Sequence, residues 1–326
     1  MGNNRFCDDD SVPDEASALA EVLCVGDDTT GERLDLFLSV SLGVTRSFAK
    51  KLIEMGQVRP LGTGGKAKAG YRTREGERYE IIVPPPQALE IEPEAVDFDV
   101  LYEDGDILVI DKPAGLVVHP APGHWRGTLV HGLLWRYPDI GVSNGVVRPG
   151  IVHRLDRTTS GLMVVTRNVR AQAGLIDAFR NREVDKRYLA LVKGTAPVEG
   201  YIEAPIGRDE RNRLRMAVTS DGREASTTFN RLWARKSCSL LTCKIHTGRT
   251  HQIRVHLRHI GCPLVGDTLY GGGRRDPLPL DRVFLHSWKL SFLHPLTGQL
   301  LAFRAPLPTE LTRYLQALAA RDGATP

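Results

Sequence analysis

The sequence predicts an α+β fold organised around one large mixed, mostly antiparallel sheet. Two observations carry that prediction. Strand-like apolar runs outnumber helical patterns, and the two do not alternate in the strict βαβ order of a parallel sheet. A third sets the scale: 41% of residues are hydrophobic and 25% charged, an ordinary globular balance with material for a full core. A chain of 326 residues suits two or three domains.

Residues 1–30 hold eight acids (Asp8, Asp9, Asp10, Asp14, Glu15, Glu21, Asp27, Asp28) against the single base Arg5, without periodicity, and read as a flexible acidic tail. Residues 31–83 read as a small unit of two helices and short strands. Leu34, Phe37 and Leu38 lie at helical spacing. After Gly43, Thr45 is a candidate cap for a second helix with the apolar stripe Phe48, Leu52, Met55 and a stop at Gly56. Arg46, Lys50 and Lys51 fall away from that stripe and give the helix a basic face. A strand follows within 71–83, and Pro84, Pro85 and Pro86 open a stiff linker, 84–98.

The larger domain is expected over 99–326. Its first part, VLYEDGDILVIDKP, reads as two strands around the turn Glu103-Asp104-Gly105-Asp106. Further strands are expected at 162–166, 187–193 and 240–246. Asn168 is a candidate cap for a helix with the stripe Ala171, Leu175, Phe179. Thr250 is a candidate cap for another, with Ile253, Leu257 and Ile260 apolar and Gly261 at its end.

The net charge of +4 is unevenly spread: residues 1–30 carry −7 and residues 31–326 carry +11. A basic body of this kind fits a polyanionic partner or, equally, a solvated surface. No run approaches the roughly 18 apolar residues of a membrane span, and no signal-peptide pattern opens the sequence. The five cysteines include no C-x-x-C pair and read as reduced thiols, which points to a cytoplasmic protein. His246, His251, His256 and His259 have no nearby acid in sequence, so no metal site is expected. Neither a G-x-G-x-x-G nor a Walker loop is present, and Gly271-Gly272-Gly273 lacks a strand–loop–helix setting, so no nucleotide cofactor is expected.

Chemistry concentrates in two segments. In GIVHRLDRTTSGLMVV, a polar turn with His153, Arg154, Asp156 and Arg157 interrupts apolar sequence. Asp156 there is either a turn cap paired with Arg157 or a reactive carboxylate on a loop held by strands. In IHTGRTHQIRVHLRHIG, Arg254 and Arg258 lie one helical turn apart. An arginine can fork onto a carboxylate and favour its charged form, or face phosphate and water.

Four segments in order, KPAGLVVHP, GIVHRLDRTTSGLMVV, HTGRTHQIRVHL and PLVGDTLYG, with LHSWKLSFLHPLTG behind them, cover most of residues 99–312. Through them the chain resembles the RluA-type RNA pseudouridine synthases, most closely the RluD-like enzymes of large-subunit (23S) ribosomal RNA. Residues 31–83 resemble an S4-type RNA-binding module, with Arg59 to Gly65 in place of the usual short turn.

The resemblance implies a cofactor-independent isomerase. Asp156 matches the catalytic aspartate, Arg254 the arginine that pairs with it, Tyr188 the aromatic that stacks on the target base, and Arg154 a residue of base flipping. Arg157 and the basic residues Arg46, Lys50 and Lys51 are expected to contact RNA. Asp156 is expected either to attack C1′ or to take the C2′ proton, and Asp156 or Tyr188 to remove the C5 proton later. The expected partner is RNA, with neither DNA nor membrane. A monomer is expected, since no long heptad or exposed apolar stripe asks for a second copy.

Overall fold

A computed structural model describes residues 19–42, 46–62, 65–83, 91–121, 123–140, 150–212, 214–271 and 276–323. Thr45, Pro84 to Pro86, Gly272 and Gly273 lie outside them, as does the side chain of Phe48. The chain divides into two compact units, Met1–Ala88 and Leu89–Pro326.

The first unit contains β1 (Leu19–Cys24), α1 (Leu34–Ser41), α2 (Arg46–Glu54), β2 (Val58–Leu61) and β3 (Arg78–Val83). Its three strands are antiparallel in the order β1-β3-β2. Two of these strands differ from expectation. β1 lies inside the segment read as a tail: the short run Leu19–Cys24, with Glu21 its one charged residue, pairs through its backbone with β3. β2 occupies the start of the segment read as a replaced turn. The core joins Leu34, Phe37, Leu38, Leu52, Val58 and Ile81. Met55, expected in the apolar stripe, is 52% exposed because α2 ends at Glu54, before the helical stripe reaches it.

The second unit contains β4 (Asp99–Glu103), β5 (Ile107–Lys112), α3 (Leu129–Arg136), β6 (Ser160–Thr166), α4 (Val169–Arg180), β7 (Asp185–Lys193), β8 (Glu199–Glu203), β9 (Ile206–Arg208), β10 (Met216–Val218), β11 (Ser226–Ala234), β12 (Cys238–Ile245), α5 (Gln252–His259), β13 (Leu285–Leu293), β14 (Leu300–Arg304) and α6 (Thr309–Arg321). The large sheet runs β4-β5-β6-β13-β7-β12-β11-β8, with β14 beside β13. Its pairings are antiparallel except β6 with β13, so the sheet is mixed and mostly antiparallel, as expected. Residues 91–98, expected as linker, belong to this unit: Glu94 N–H donates to His131 O at 3.3 Å, and Val96 and Phe98 crowd Gly132 of α3.

Both faces of the central strands are buried. Ile110, Met163, Val165, Ala190 and Leu241 face one core with Leu129, Ile253 and Leu257 from α3 and α5. Ile107, Val109, Leu162 and Val164 face another with Ala171 and Leu175 from α4. Burial on two sides explains why these strands read as continuous apolar runs instead of alternating. The expected cap of α4 is present: the Asn168 side chain accepts from Ala171 N–H at 2.9 Å. Thr250 does not cap α5; His251 holds that position in the left-handed region, at φ 58°.

Gly161 fixes how β6 enters the sheet. It has φ +115° and pairs with Ser287 of β13. A Cβ there would lie 2.3 Å from Ser287 O and 2.6 Å from Ser287 N. Only glycine allows so close a parallel approach.

Candidate active site

The loop 152–159 is pinned from both ends. Thr166 N–H donates to Gly150 O at 2.9 Å, and Ile151 bridges Val165, so the chain runs back along β6 before re-entering it. Between these ends, His153 Nε2 accepts from Val164 N–H at 3.0 Å and Leu155 is buried in the core. The carbonyl of Arg157 accepts from Gly115 N–H at 2.8 Å and from the Lys112 ammonium at 3.4 Å. Lys112, fully buried, also donates to Pro113 O and Leu116 O at 2.7 and 2.8 Å. The lysine of KPAG is therefore a tie between this loop and its neighbour. Behind the loop, Ser160 Oγ accepts from Arg282 Nη2 at 2.8 Å and lies 2.9 Å from His286 Nδ1.

Asp156 stands in this fixed loop with its side chain 17% exposed. Arg254 Nη1 donates to Asp156 Oδ2 at 3.3 Å. The fork of the guanidinium goes elsewhere: Nε and Nη2 donate to the two oxygens of Asp267 at 2.8 and 2.9 Å. Asp267 is wholly buried and also accepts from Leu269 and Tyr270 N–H at 3.1 and 3.0 Å. The Tyr270 ring lies under the guanidinium at 4.9 Å. Burial opposes the Arg254 charge, but Asp267 and then Asp156 outweigh it and raise the guanidinium above its ordinary value. The expected pairing of Arg254 with Asp156 is thus present as a single bond, and Asp267 aims it. This acid sits in the quoted segment PLVGDTLYG, and a carboxylate ahead of Leu269-Tyr270 in a turn was the available signal for it.

A cavity of about 270 Å³ opens beside Asp156, at the small end of ligand pockets. Asp156 is the only carboxylate among the described residues lining it. Tyr188 lines it from β7, where it pairs with Cys243 of β12 and Ser287 of β13. Burial, and then the Asp156 charge, push the Tyr188 phenol well above its ordinary range, although a hydrogen bond with Ser287 opposes them. The phenol is therefore neutral at physiological pH. His251 Nε2 is 4.0 Å from Asp156 Oδ2, and its Nδ1 is 2.8 Å from the Tyr270 hydroxyl. Burial lowers the His251 pKa, which favours neutral imidazole.

Arg154 is exposed and lines the same cavity. Arg157 is exposed next to it, with Nη1 3.3 Å from His124 Nε2. Arg46, Lys50 and Lys51 belong to the first unit. Arg46 donates to the buried Asp35 at 3.2 Å and Lys50 pairs with Glu54 at 3.6 Å, so two of the three expected RNA contacts already hold acids. The four histidines singled out earlier do not converge on one another: His246 Nε2 lies 2.9 Å from Thr228 Oγ1, and His256 bonds Thr227 and Ala204 O.

The family model described as RNA pseudouridylate synthase matches residues 106–259. An uncharacterised RNA pseudouridine synthase of Chloroflexus aurantiacus is 50% identical over 92% of this chain and 94% of its own length. The ribosomal large subunit pseudouridine synthase D of Xanthomonas campestris is 41% identical over 95% of this chain and 96% of its own. Among solved structures, human RNA pseudouridylate synthase domain containing 1 superposes with a TM-score of 0.51 at 28% identity, covering 72% of this chain and 99% of that one. With Asp156, Arg254 and Tyr188 gathered at one cavity, and relatives matching over nearly the whole length, the chain belongs to the RNA pseudouridine synthase family.

Proposed function

We propose that this enzyme converts uridine to pseudouridine in large-subunit ribosomal RNA, with Asp156 as its essential carboxylate. The observation that carries the assignment is that, among the described residues, Asp156 is the sole acid lining a cavity shared with Tyr188 and Arg254. The relatives named as large-subunit synthases support the substrate class.

The target uridine leaves its stack, at a cost of a few kcal/mol, and Arg154 at the cavity mouth fills the space it vacates. Its uracil stacks on Tyr188, which returns about 1–3 kcal/mol. Asp156 then acts as a charged group, either by attack at C1′ or by removal of the C2′ proton. The N1–C1′ bond breaks, the uracil turns, and C1′ joins C5. Loss of the C5 proton and protonation of the freed N1 complete the isomerisation. Tyr188, held neutral by burial, is a poor base for this last step, which leaves Asp156 to take the proton. Redox chemistry has no place in the reaction, so no cofactor is required.

The first unit acts as an S4-like delivery module, with Lys51 of α2 gripping a phosphate. Among the described residues no helix is long and apolar enough to cross a membrane. A cytoplasmic monomer fits an enzyme whose substrate is ribosomal RNA. The test is to treat unmodified large-subunit RNA and transfer RNA with purified enzyme and map pseudouridine in each. Modification at defined large-subunit positions is expected; modification confined to transfer RNA would overturn the substrate assignment.

A further inference from the structure

Lys186 is a cation built into the active site without a carboxylate bonded to it among the described residues. It lies on β7 two residues before Tyr188, on the same face of the strand, and is only 7% exposed. It lines the cavity that holds Asp156. Its Nζ rests 4.9 Å from the centre of the Phe179 ring. Among the described residues it makes no ion pair or hydrogen bond through that ammonium. The adjacent acid, Asp185, is taken by Arg187 at 2.9 Å and Lys244 at 3.0 Å.

An ammonium has three donors, and burying it with none engaged is costly. A cation–π contact returns only part of that. Burial pulls Lys186 down to about 8, and the neighbouring His153, lowered first by its own burial and then by the Lys186 charge, falls to about 3. Lys186 thus stands as an ammonium beside a neutral imidazole, and unlike Arg254 it has no carboxylate bonded to it among the described residues. Such uncompensated charge in a cavity is characteristic of groups whose partner is the reacting substrate.

Building on the pseudouridine synthase assignment, we propose that Lys186 donates to a uracil carbonyl oxygen and stabilises the negative charge that develops there as N1–C1′ breaks. The electron pair of that bond passes to the uracil ring and is shared with O2 and O4. Lys186 keeps its proton throughout. Charge returns to the ring–sugar bond when C5 joins C1′, and the C5 proton leaves to a separate base. A donor aimed at charge that appears only in the transition state raises kcat without tightening ground-state binding.

The experiment compares wild type, Lys186→Met and Lys186→Arg on a large-subunit RNA transcript, with thermal unfolding of each. Lys186→Met is expected to lose about 10²-fold in kcat while KM stays within about twofold. It is also expected to unfold at the same or a higher temperature, since it removes a buried unpaired charge. Lys186→Arg should recover most of the loss. A raised KM with intact kcat would make Lys186 a phosphate grip and overturn the proposal. So would unchanged kinetics, an arginine variant no better than the methionine one, or a methionine variant that fails to fold. Absence of pseudouridine with wild type on every RNA would instead overturn the enzyme assignment on which this rests.

Discussion

Asp267→Asn isolates what the buried acid behind Arg254 contributes. The Asp267 carboxylate accepts four hydrogen bonds, at 2.8 Å from Arg254 Nε, 2.9 Å from Nη2, 3.1 Å from Leu269 N and 3.0 Å from Tyr270 N. At 2.8 Å the charge attraction amounts to about 6 kcal/mol for an effective dielectric of ~20, before desolvation is subtracted. Asparagine keeps one acceptor oxygen, but its amide turns donor against the donors of Arg254. Breaking one half of a buried ion pair costs about 3–5 kcal/mol. For a unit of this size that lowers the unfolding temperature on the order of 10 °C. Arg254 then loses its aim on Asp156, and kcat should fall at least ~10-fold with KM little changed. Calorimetry and single-turnover assays on the same RNA measure both. An Asp267→Asn enzyme with wild-type melting and wild-type kcat would refute the claim that Asp267 orients Arg254.

Two further predictions concern the frame of the site. Gly161→Ala places a methyl 2.3 Å from Ser287 O, so it should cost about 3 kcal/mol or more and abolish activity; a soluble, active variant in a standard expression and turnover test would contradict the parallel β6–β13 contact. His286, driven down to about 4 chiefly by burial, is neutral in the folded state. Unfolded it titrates near ~6.5, so the unfolded state binds more protons between those values and stability falls as pH drops from about 6.5 to about 4. Urea unfolding should show this histidine contributing about 1.4 kcal/mol per pH unit in that window, and His286→Gln should flatten the slope by that amount.

The strands of the large sheet were legible because burial on both faces produces apolar runs that no loop would carry. Glu103 to Asp106 and Asn168 were legible because turn and cap chemistry is local. β1 was not, because its partner β3 lies more than fifty residues away and its six residues are too few to stand out behind an acidic stretch. The turn before α5 misled in a different way: Thr250 is a good cap residue, yet His251 takes the position because its ring is held on Tyr270. At the site, Asp156, Arg254, Tyr188 and Arg154 were marked by motifs. Asp267 stands in the motif PLVGDTLYG without its role being legible there, and Lys186 was not marked, because a supporting carboxylate and an unpaired lysine are defined by what surrounds them in space. Arg46 shows the opposite limit: a helical pattern marks it as free, while the fold sets it on Asp35.

The most direct measurement of the central claim is tritium release from RNA labelled at uridine C5, comparing wild type with Asp156→Asn. The structure predicts release by wild type in step with pseudouridine formed. It predicts loss of both in Asp156→Asn, whose RNA affinity should remain near wild type because Asp156 is only one small part of the contact surface. Release by Asp156→Asn at a rate approaching wild type would contradict the assignment of Asp156 as the essential carboxylate.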